Sequence, residues 1–152
     1  MAFIEKYNSD ILQIDNGIIA HGVNCQGKMG KGLAALIKNK WPIVYQEYIK
    51  LYNTRKNLLG TVQFIQVGQN PPLVIANAFT QQYYGNDKKT YADINAIRQC
   101  LFSLAKYANE NYLDLHIPEI GCGLGGLSWN DVRFIAVNVQ RLYGIDLYVH
   151  KL

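Results

Sequence analysis

The chain has 152 residues, of which 49% are apolar and 17% charged, and its formal net charge is +4 at neutral pH. This length suits one domain, and the apolar content excludes a disordered chain. We therefore expect one folded domain over residues 1–152, and nowhere is there an apolar run near the ~20 residues of a membrane span.

Apolar runs of strand length recur along the chain, each bounded by Gly, Pro, Asn or Asp. They predict six strands, at residues 11–14, 18–23, 62–67, 73–78, 113–117 and 145–149. Segments with helical spacing lie between them, at about residues 32–52, 91–109 and 130–143. Strands that are apolar nearly throughout are typical of a mostly parallel sheet with helices on both faces. We therefore predict a three-layer α/β/α domain with about six strands, in which Asn70-Pro71-Pro72 makes a turn between adjacent strands.

The cysteines, Cys25, Cys100 and Cys122, form no C-x-x-C pair and accompany no histidine cluster. This pattern argues against a disulfide framework and a zinc site, and we expect neither a metal nor a cofactor. The N-terminal segment MAFIEKYNSD is too polar for a secretory signal, so we expect a cytoplasmic protein. The scattered basic residues disfavour nucleic acid as a partner, and the absence of heptads favours a monomer.

The first glycine-rich loop, residues 22–32 (GVNCQGKMGKG), follows a predicted strand and opens a predicted helix. Glycines let the main chain approach an anion, and the free amides of a first helical turn supply donors, so we predict a phosphate or diphosphate site. A G-x-x-x-x-G-K phosphate loop would need Ser or Thr where Met29 stands. A dinucleotide motif starting at Gly30 lacks the acidic residue at the end of a later strand. A turn that needs glycine only for its geometry is the alternative.

The second glycine-rich loop, residues 118–127 (PEIGCGLGGL), also follows a predicted strand and precedes a predicted helix. Four glycines within six residues cost more unfolded-state entropy than a plain turn requires. Since both loops follow strands of a parallel sheet, we expect them to face one another at the end where open α/β sheets bind ligands.

Four segments together resemble the macrodomain family, namely residues 10–12 (DIL), 20–32 (AHGVNCQGKMGKG), 75–79 (IANAF) and 118–129 (PEIGCGLGGLSW). The similarity points to the branch with the terminal ADP-ribose protein glycohydrolase, the DNA ADP-ribose-removing antitoxins and the yeast-type ADP-ribose 1''-phosphate phosphatases. It implies the macrodomain fold, with a mixed, mostly parallel sheet. It also implies ADP-ribose or ADP-ribose 1''-phosphate as the ligand, with ADP-ribosylated macromolecules as further candidates.

The resemblance implies roles for single residues. Asp10 would accept a hydrogen bond from the adenine amino group and Ile11 would donate one from its backbone, although a capping role is the alternative for Asp10. The first loop would contact the distal ribose and a phosphate through Asn24, Gln26, Met29, Gly30, Lys31 and Gly32. The second loop would wrap the diphosphate with Gly121, Cys122, Gly123, Leu124, Gly125, Gly126 and Leu127. Tyr83 or Tyr148 would flank the ligand, unless each has a core or surface role.

Two departures from the family pattern bear on catalysis. Glycohydrolases of this branch carry a lysine just after the strand that corresponds to residues 73–79, where this chain reads TQQY, and some carry an acid where Gly125 stands. Attack by a lysine on the ribose is therefore disfavoured. The candidates for orienting water and handling charge are His21, Asn24 and Asp87, for which a core histidine, a turn asparagine and a solvated acid are the alternatives. We expect a hydrolase of ADP-ribose 1''-phosphate or of ADP-ribosyl linkages, with a non-catalytic ADP-ribose reader or sequestering protein as the alternative.

Overall fold

The computed structural model describes residues 1–85, 87 and 89–151 of the chain. In chain order its elements are β1 (Phe3–Lys6), a 3-10 helix (Ile11–Gln13), β2 (Gly17–Asn24), α1 (Gly32–Lys40), α2 (Pro42–Thr54), β3 (Val62–Gln69), β4 (Pro72–Gln81), α3 (Ile94–Asn111), β5 (Leu115–Ile117), α4 (Trp129–Tyr143) and β6 (Leu147–His150).

All six strands of the described chain form one sheet in the order β1-β6-β5-β2-β4-β3. Four neighbouring pairs are parallel, and only β3 runs antiparallel to its neighbour β4. The predicted mixed, mostly parallel sheet is therefore confirmed. The predicted turn at Asn70 and Pro71 joins the antiparallel pair.

Helices cover both faces of the sheet. Side chains of β2 alternate between two cores, since Ile18 and Ala20 pack in the cluster with α3 and α4, whereas Ile19 and Val23 pack in the cluster with α1 and α2. Burial on both faces explains why the strand sequences are apolar nearly throughout. The predicted three-layer α/β/α architecture is confirmed.

The sequence misplaces one of the six strands. Residues 11–14, predicted as a strand, instead contain the 3-10 helix Ile11–Gln13, because the Asp10 carboxylate accepts a hydrogen bond from the Leu12 amide and caps a turn there. The sixth strand is instead β1, which pairs with β6. Because β1 carries the charged residues Glu5 and Lys6, it does not form an apolar run of strand length in the sequence.

The predicted helix at residues 32–52 is two helices that meet at Trp41. Pro42 has no amide hydrogen to continue the first helix, but it fits the first turn of α2. The predicted helix at 91–109 begins later, at Ile94, because the Asp93 side chain accepts hydrogen bonds from the Asn95 and Ala96 amides. None of the described helices is both long and apolar enough to cross a bilayer.

Candidate functional site

A cleft of about 680 Å³ lies at the carboxyl ends of the central strands. Its wall includes Asn24 and Gln81, which end β2 and β4, and Pro118, which follows β5. After β2 the chain crosses to α1 on one face of the sheet, whereas after the neighbouring β5 it crosses to α4 on the other face. Such a switch point is where open α/β sheets bind ligands, and the volume suits a nucleotide-sized molecule.

The second glycine-rich loop divides its backbone amides into two groups. The amides of Cys122, Gly126 and Leu127 donate to carbonyls of Glu119, Gly123 and Gly121, at 3.0 to 3.2 Å. Those three residues do not line the cleft. Ile120 also lines the cleft, but its amide donates to the Pro118 carbonyl. Beyond it, Gly121, Gly123, Leu124 and Gly125 line the cleft, and the amides of these four donate to no other residue in the described part of the chain. The loop therefore fixes its shape with one set of donors and leaves the amides of four cleft-lining residues free to bond to a ligand.

The first glycine-rich loop and the start of α1 form the opposite wall. Met29 to Ala34 all line the cleft. No side chain caps α1, and the amides of Gly32, Leu33 and Ala34 find no acceptor among the described residues. Unpaired amides at a helix N-terminus attract anions through their hydrogens and through the partial positive charge of the helix end. The cleft is thus bordered by free donors on two sides.

A buried hydroxyl gives the first loop its shape. The Tyr48 hydroxyl, from α2, lies 2.8 Å from both the carbonyl and the side-chain oxygen of Asn24, and it accepts a hydrogen bond from the Lys28 amide. The Asn24 side chain also accepts from the Gln26 amide and donates to the Lys28 carbonyl. Tyr48 therefore holds the loop that carries the free amides.

The charged side chains of the cleft wall are mostly basic. Lys28, Lys31 and Lys38 line it, with Glu119 as the only carboxylate among the described lining residues. The Lys38 ammonium lies 3.9 Å from the ring centroid of Tyr45, which orients it by a cation–π contact. The electrostatics of the wall therefore favour a polyanionic ligand. No group of three or more His, Cys, Asp or Glu residues in the described chain is placed to bind a metal ion.

Comparison with known proteins agrees with this geometry. The family model described as Macro domain matches residues 20–136. The chain belongs to the macrodomain family. A DNA ADP-ribosyl glycohydrolase of Mycobacterium tuberculosis is 29% identical over 94% of this chain, which spans only 40% of that relative's length. An ADP-ribose 1''-phosphate phosphatase of Candida albicans is 28% identical over 87% of this chain and 86% of its own. The macrodomain of Mycobacterium tuberculosis DarG superposes with a TM-score of 0.84 at 26% identity, covering 99% of both chains.

Predicted site residues that line the cleft of this macrodomain are His21, Asn24, Met29, Gly30, Lys31, Gly32, Gly121, Gly123, Leu124 and Gly125. The structure thus brings the two glycine-rich loops together, as the sequence predicts. Thr80 and Tyr84 also line the cleft, and sequence reasoning did not single them out. The buried Thr80 lies within β4, beyond the end of the predicted strand 73–78, and the sequence gives no sign of its role.

The other predicted residues lie outside the cleft wall. The Gln26 side chain accepts a hydrogen bond from the Tyr84 amide, which ties the first loop to the segment after β4. Asp10 caps the 3-10 helix and Ile11 is buried. Tyr148 stacks on His116 with ring centroids 4.9 Å apart, whereas Tyr83 is exposed.

The surroundings of Asp87 and Cys122 decide what chemistry each side chain can do. The exposed Asp87 carboxylate accepts hydrogen bonds from the Tyr91 hydroxyl and the Lys89 amide, and the Tyr91 bond in particular lowers its pKa. Burial raises the pKa of the Cys122 thiol to about 11, so this sulfur is protonated at neutral pH. Asp87 is therefore engaged away from the cleft, and Cys122 is a poor nucleophile.

His21 is buried at the cleft, with 1% of its surface exposed. Its Nε2 lies 2.6 Å from the side-chain oxygen of Asn77. Its Nδ1 has no hydrogen-bond partner among the described residues. Burial lowers the pKa of His21 to about 4, and the bond to Asn77 opposes that shift. The imidazole is therefore neutral at physiological pH.

Proposed function

We propose that this macrodomain binds ADP-ribose in the cleft, with the diphosphate between the two rows of free amides, and hydrolyses a group attached to the distal ribose. The two opposed rows of free amides carry the proposal, one from residues 30–34 and the other from Gly121, Gly123, Leu124 and Gly125. Hydrogen bonds from backbone amides to a charged phosphate oxygen are stronger than those to water, and a diphosphate supplies several acceptors and two negative charges at once. This chemistry matches the ligand class of the family.

A phosphate monoester on the distal ribose suits the wall better than a glycosidic linkage does. Three lysines face one carboxylate, an excess of positive charge that fits a ligand carrying a phosphate beyond the diphosphate. Gln81 lies in the wall at the segment where the family resemblance implies a lysine in a glycohydrolase, and its amide is no nucleophile. A Cβ on Gly125 would come within 2.5 Å of the Gly121 carbonyl oxygen, so this loop leaves no room for an acid there.

Hydrolysis of ADP-ribose 1''-phosphate consumes one water and yields ADP-ribose and inorganic phosphate. The reaction needs an oriented water, an acceptor for its proton, and donors that stabilise the charge on the transferring phosphoryl group. Lys28 and Lys31 line the cleft and would stabilise that charge. His21 is the candidate proton acceptor, and Asn24 positions the loop through its hydrogen bonds. Asp87 has no part in this proposal.

A non-catalytic ADP-ribose reader is the second candidate. The observation that favours it is the Asn24 side chain, whose oxygen already accepts bonds from the Gln26 amide and the Tyr48 hydroxyl, so little of it is left to orient a water. A reader would bind ADP-ribose with the same two rows of amides but release no phosphate.

The test is phosphate release from ADP-ribose 1''-phosphate by the purified protein, followed continuously. We expect release that saturates with substrate and is suppressed by added ADP-ribose, because both compounds occupy the same cleft. An ADP-ribosylated DNA oligonucleotide, assayed in parallel, tests the glycohydrolase activity that a relative's name describes. Binding of ADP-ribose without release from either substrate would establish the reader instead.

Two controls separate this activity from a contaminating phosphatase. The variant Lys31→Gln, purified in the same way, should release phosphate more slowly, because it removes one cleft charge from an exposed side chain without disturbing the core. The variant Lys56→Gln changes an exposed lysine that does not line the cleft and should keep the wild-type rate. Equal rates in wild type and both variants would assign the release to a contaminant.

A further inference from the structure

A row of polar side chains crosses the face of the sheet that is covered by α1 and α2. His21 of β2 pairs in register with Asn77 of β4, and Asn77 pairs with Gln63 of β3. The His21 ring contacts the Asn77 amide at 2.6 Å, the Asn77 amide contacts the Gln63 amide at 3.0 Å, and the Gln63 amide contacts the Glu47 carbonyl at 2.9 Å. The row runs from the cleft to the backbone of α2.

The backbone carbonyl at the end of this row fixes the direction of every bond in it. The Glu47 carbonyl can only accept, so Gln63 must offer its NH₂ group there and turn its oxygen to Asn77. Asn77 must then give its NH₂ group to Gln63, which turns the Asn77 oxygen to His21. Against that oxygen the His21 Nε2 must carry a hydrogen. A neutral histidine protonated at Nε2 has a bare Nδ1.

The bare nitrogen is the one buried side-chain nitrogen or oxygen of the described residues without a hydrogen-bond partner. An unpaired buried acceptor is destabilising, so such an atom calls for an explanation in the function of the molecule. His21 lies in the wall of the cleft, and burial keeps its ring neutral at physiological pH. Nδ1 itself has almost no exposed surface, so a water in the cleft reaches its lone pair only if neighbouring atoms of the wall move.

We propose that Asn77 and Gln63 are positioning residues that hold His21 in its Nε2-protonated form, and that ligand binding shifts the wall so that Nδ1 accepts a proton from the attacking water. The inference rests on the proposed phosphate-ester hydrolysis. In that step the water oxygen bonds to phosphorus and its proton passes to Nδ1. The bond between phosphorus and the ribose oxygen breaks, the ribose oxygen takes a proton from solvent, and His21 later returns its proton to solvent.

The tautomer is measured directly by ¹⁵N NMR of the histidine rings, which distinguishes protonated from unprotonated nitrogens without any substrate. The variant His21→Gln identifies the His21 signals by their loss. In the wild type we expect Nε2 protonated and Nδ1 unprotonated. A protonated Nδ1 with a bare Nε2 would overturn the inference, whether or not the protein is an enzyme.

The variant Gln63→Met tests whether this row of side chains sets the tautomer of His21. Gln63 lies on the half-buried edge strand β3, and its amide, which the variant removes, is the group that orients the Asn77 amide. Asn77 can then turn its NH₂ group to His21, and we expect a mixture of the two tautomers. The turnover number should fall about 10-fold with KM unchanged, as the loss of about one orienting hydrogen bond implies. The matched control is Gln66→Met on the same strand, where the side chain is exposed and bonds only to the Gly68 carbonyl.

The possible outcomes distinguish a failure of the tautomer inference from a failure of the proposed function. If Gln63→Met keeps the wild-type tautomer spectrum and turnover number, Asn77 and Gln63 do not set the tautomer of His21. An equal loss of turnover in Gln66→Met would overturn the inference as well. Absence of phosphate release from the wild type would overturn the proposed hydrolysis and with it the catalytic use of Nδ1, while the NMR spectrum still reports the tautomer on its own.

Discussion

Gly30 and Gly123 give the sharpest test of why the two loops are rich in glycine. Both line the cleft, neither has a positive φ, and a Cβ added to either meets no other atom within 4 Å. The fold therefore does not require glycine at these positions. If the glycines serve close approach of a diphosphate to the backbone, the variants Gly30→Ala and Gly123→Ala should fold normally and bind ADP-ribose poorly.

The magnitudes follow from two opposite effects. Alanine restricts the unfolded chain, so each variant should keep the wild-type Tm or exceed it, by the equivalent of about 0.4–1 kcal/mol. A methyl group that displaces a phosphate oxygen from a backbone amide costs a charge-assisted hydrogen bond worth about 1.5–3 kcal/mol. The Kd for ADP-ribose should therefore rise roughly 10- to 100-fold.

Calorimetric titration and thermal unfolding of the same samples measure both quantities. Gly125→Ala is the contrasting variant, because its Cβ would lie 2.5 Å from the Gly121 oxygen and 2.9 Å from the Ala92 Cβ. It should lower Tm as well as affinity, since overpacking costs about 1–3 kcal/mol. Wild-type affinity in both Gly30→Ala and Gly123→Ala would refute the placement of the diphosphate against these loops.

Two further predictions concern stability. Tyr48→Phe should lower the free energy of unfolding by about 1–2 kcal/mol, because it removes the hydroxyl that bonds to Asn24 and Lys28. Urea unfolding measures the change. The control Tyr45→Phe loses one hydrogen bond of 3.4 Å and should lower the free energy of unfolding far less. Equal losses of free energy in the two variants would contradict the role of Tyr48. The histidines predict a pH dependence, because burial lowers the pKa values of His21 and His116 to about 4 in the folded protein, from the unfolded value of about 6.5. Between those two pKa values the unfolded chain binds more protons than the folded chain. The free energy of unfolding should therefore fall as the pH falls from 7 to 5, by roughly 1 kcal/mol per pH unit for each histidine. Equal free energies of unfolding at pH 7 and pH 5 would contradict this prediction.

The sequence predicts the architecture well where periodicity and burial agree. The central strands β2 and β4 are long and apolar, and α3 and α4 each show one buried stripe, so their positions follow from the pattern. The four-residue β1 has no such pattern, because one face is exposed and it carries Glu5 and Lys6. Its strand conformation comes from pairing with β6, which is a contact distant in the sequence.

The candidate site is predicted at the level of loops and not at the level of single contacts. Glycine content and position after a strand are local properties, and they locate both walls of the cleft. The hydrogen bonds within the folded loop decide which amides of residues 121–127 stay free. The sequence alone therefore could not show that Cys122, Gly126 and Leu127 have bonded amides and lie outside the cleft wall. Asn77 was missed because it is a single polar residue within the predicted apolar strand 73–78, although a buried polar residue there is itself a signal. Gln63 was missed because it is one of three glutamines in β3 and nothing in the sequence distinguishes it from the other two.

Calorimetric titration of the wild-type protein with ADP-ribose tests the central claim most directly. Two rows of free amides and a basic wall predict saturable binding of one ADP-ribose per chain, with a Kd on the order of 1 µM, equivalent to about 8 kcal/mol of binding free energy. Adenosine, which lacks the diphosphate, should bind far more weakly in the same buffer. Absence of ADP-ribose binding, or equal binding of adenosine, would contradict the assignment of the cleft.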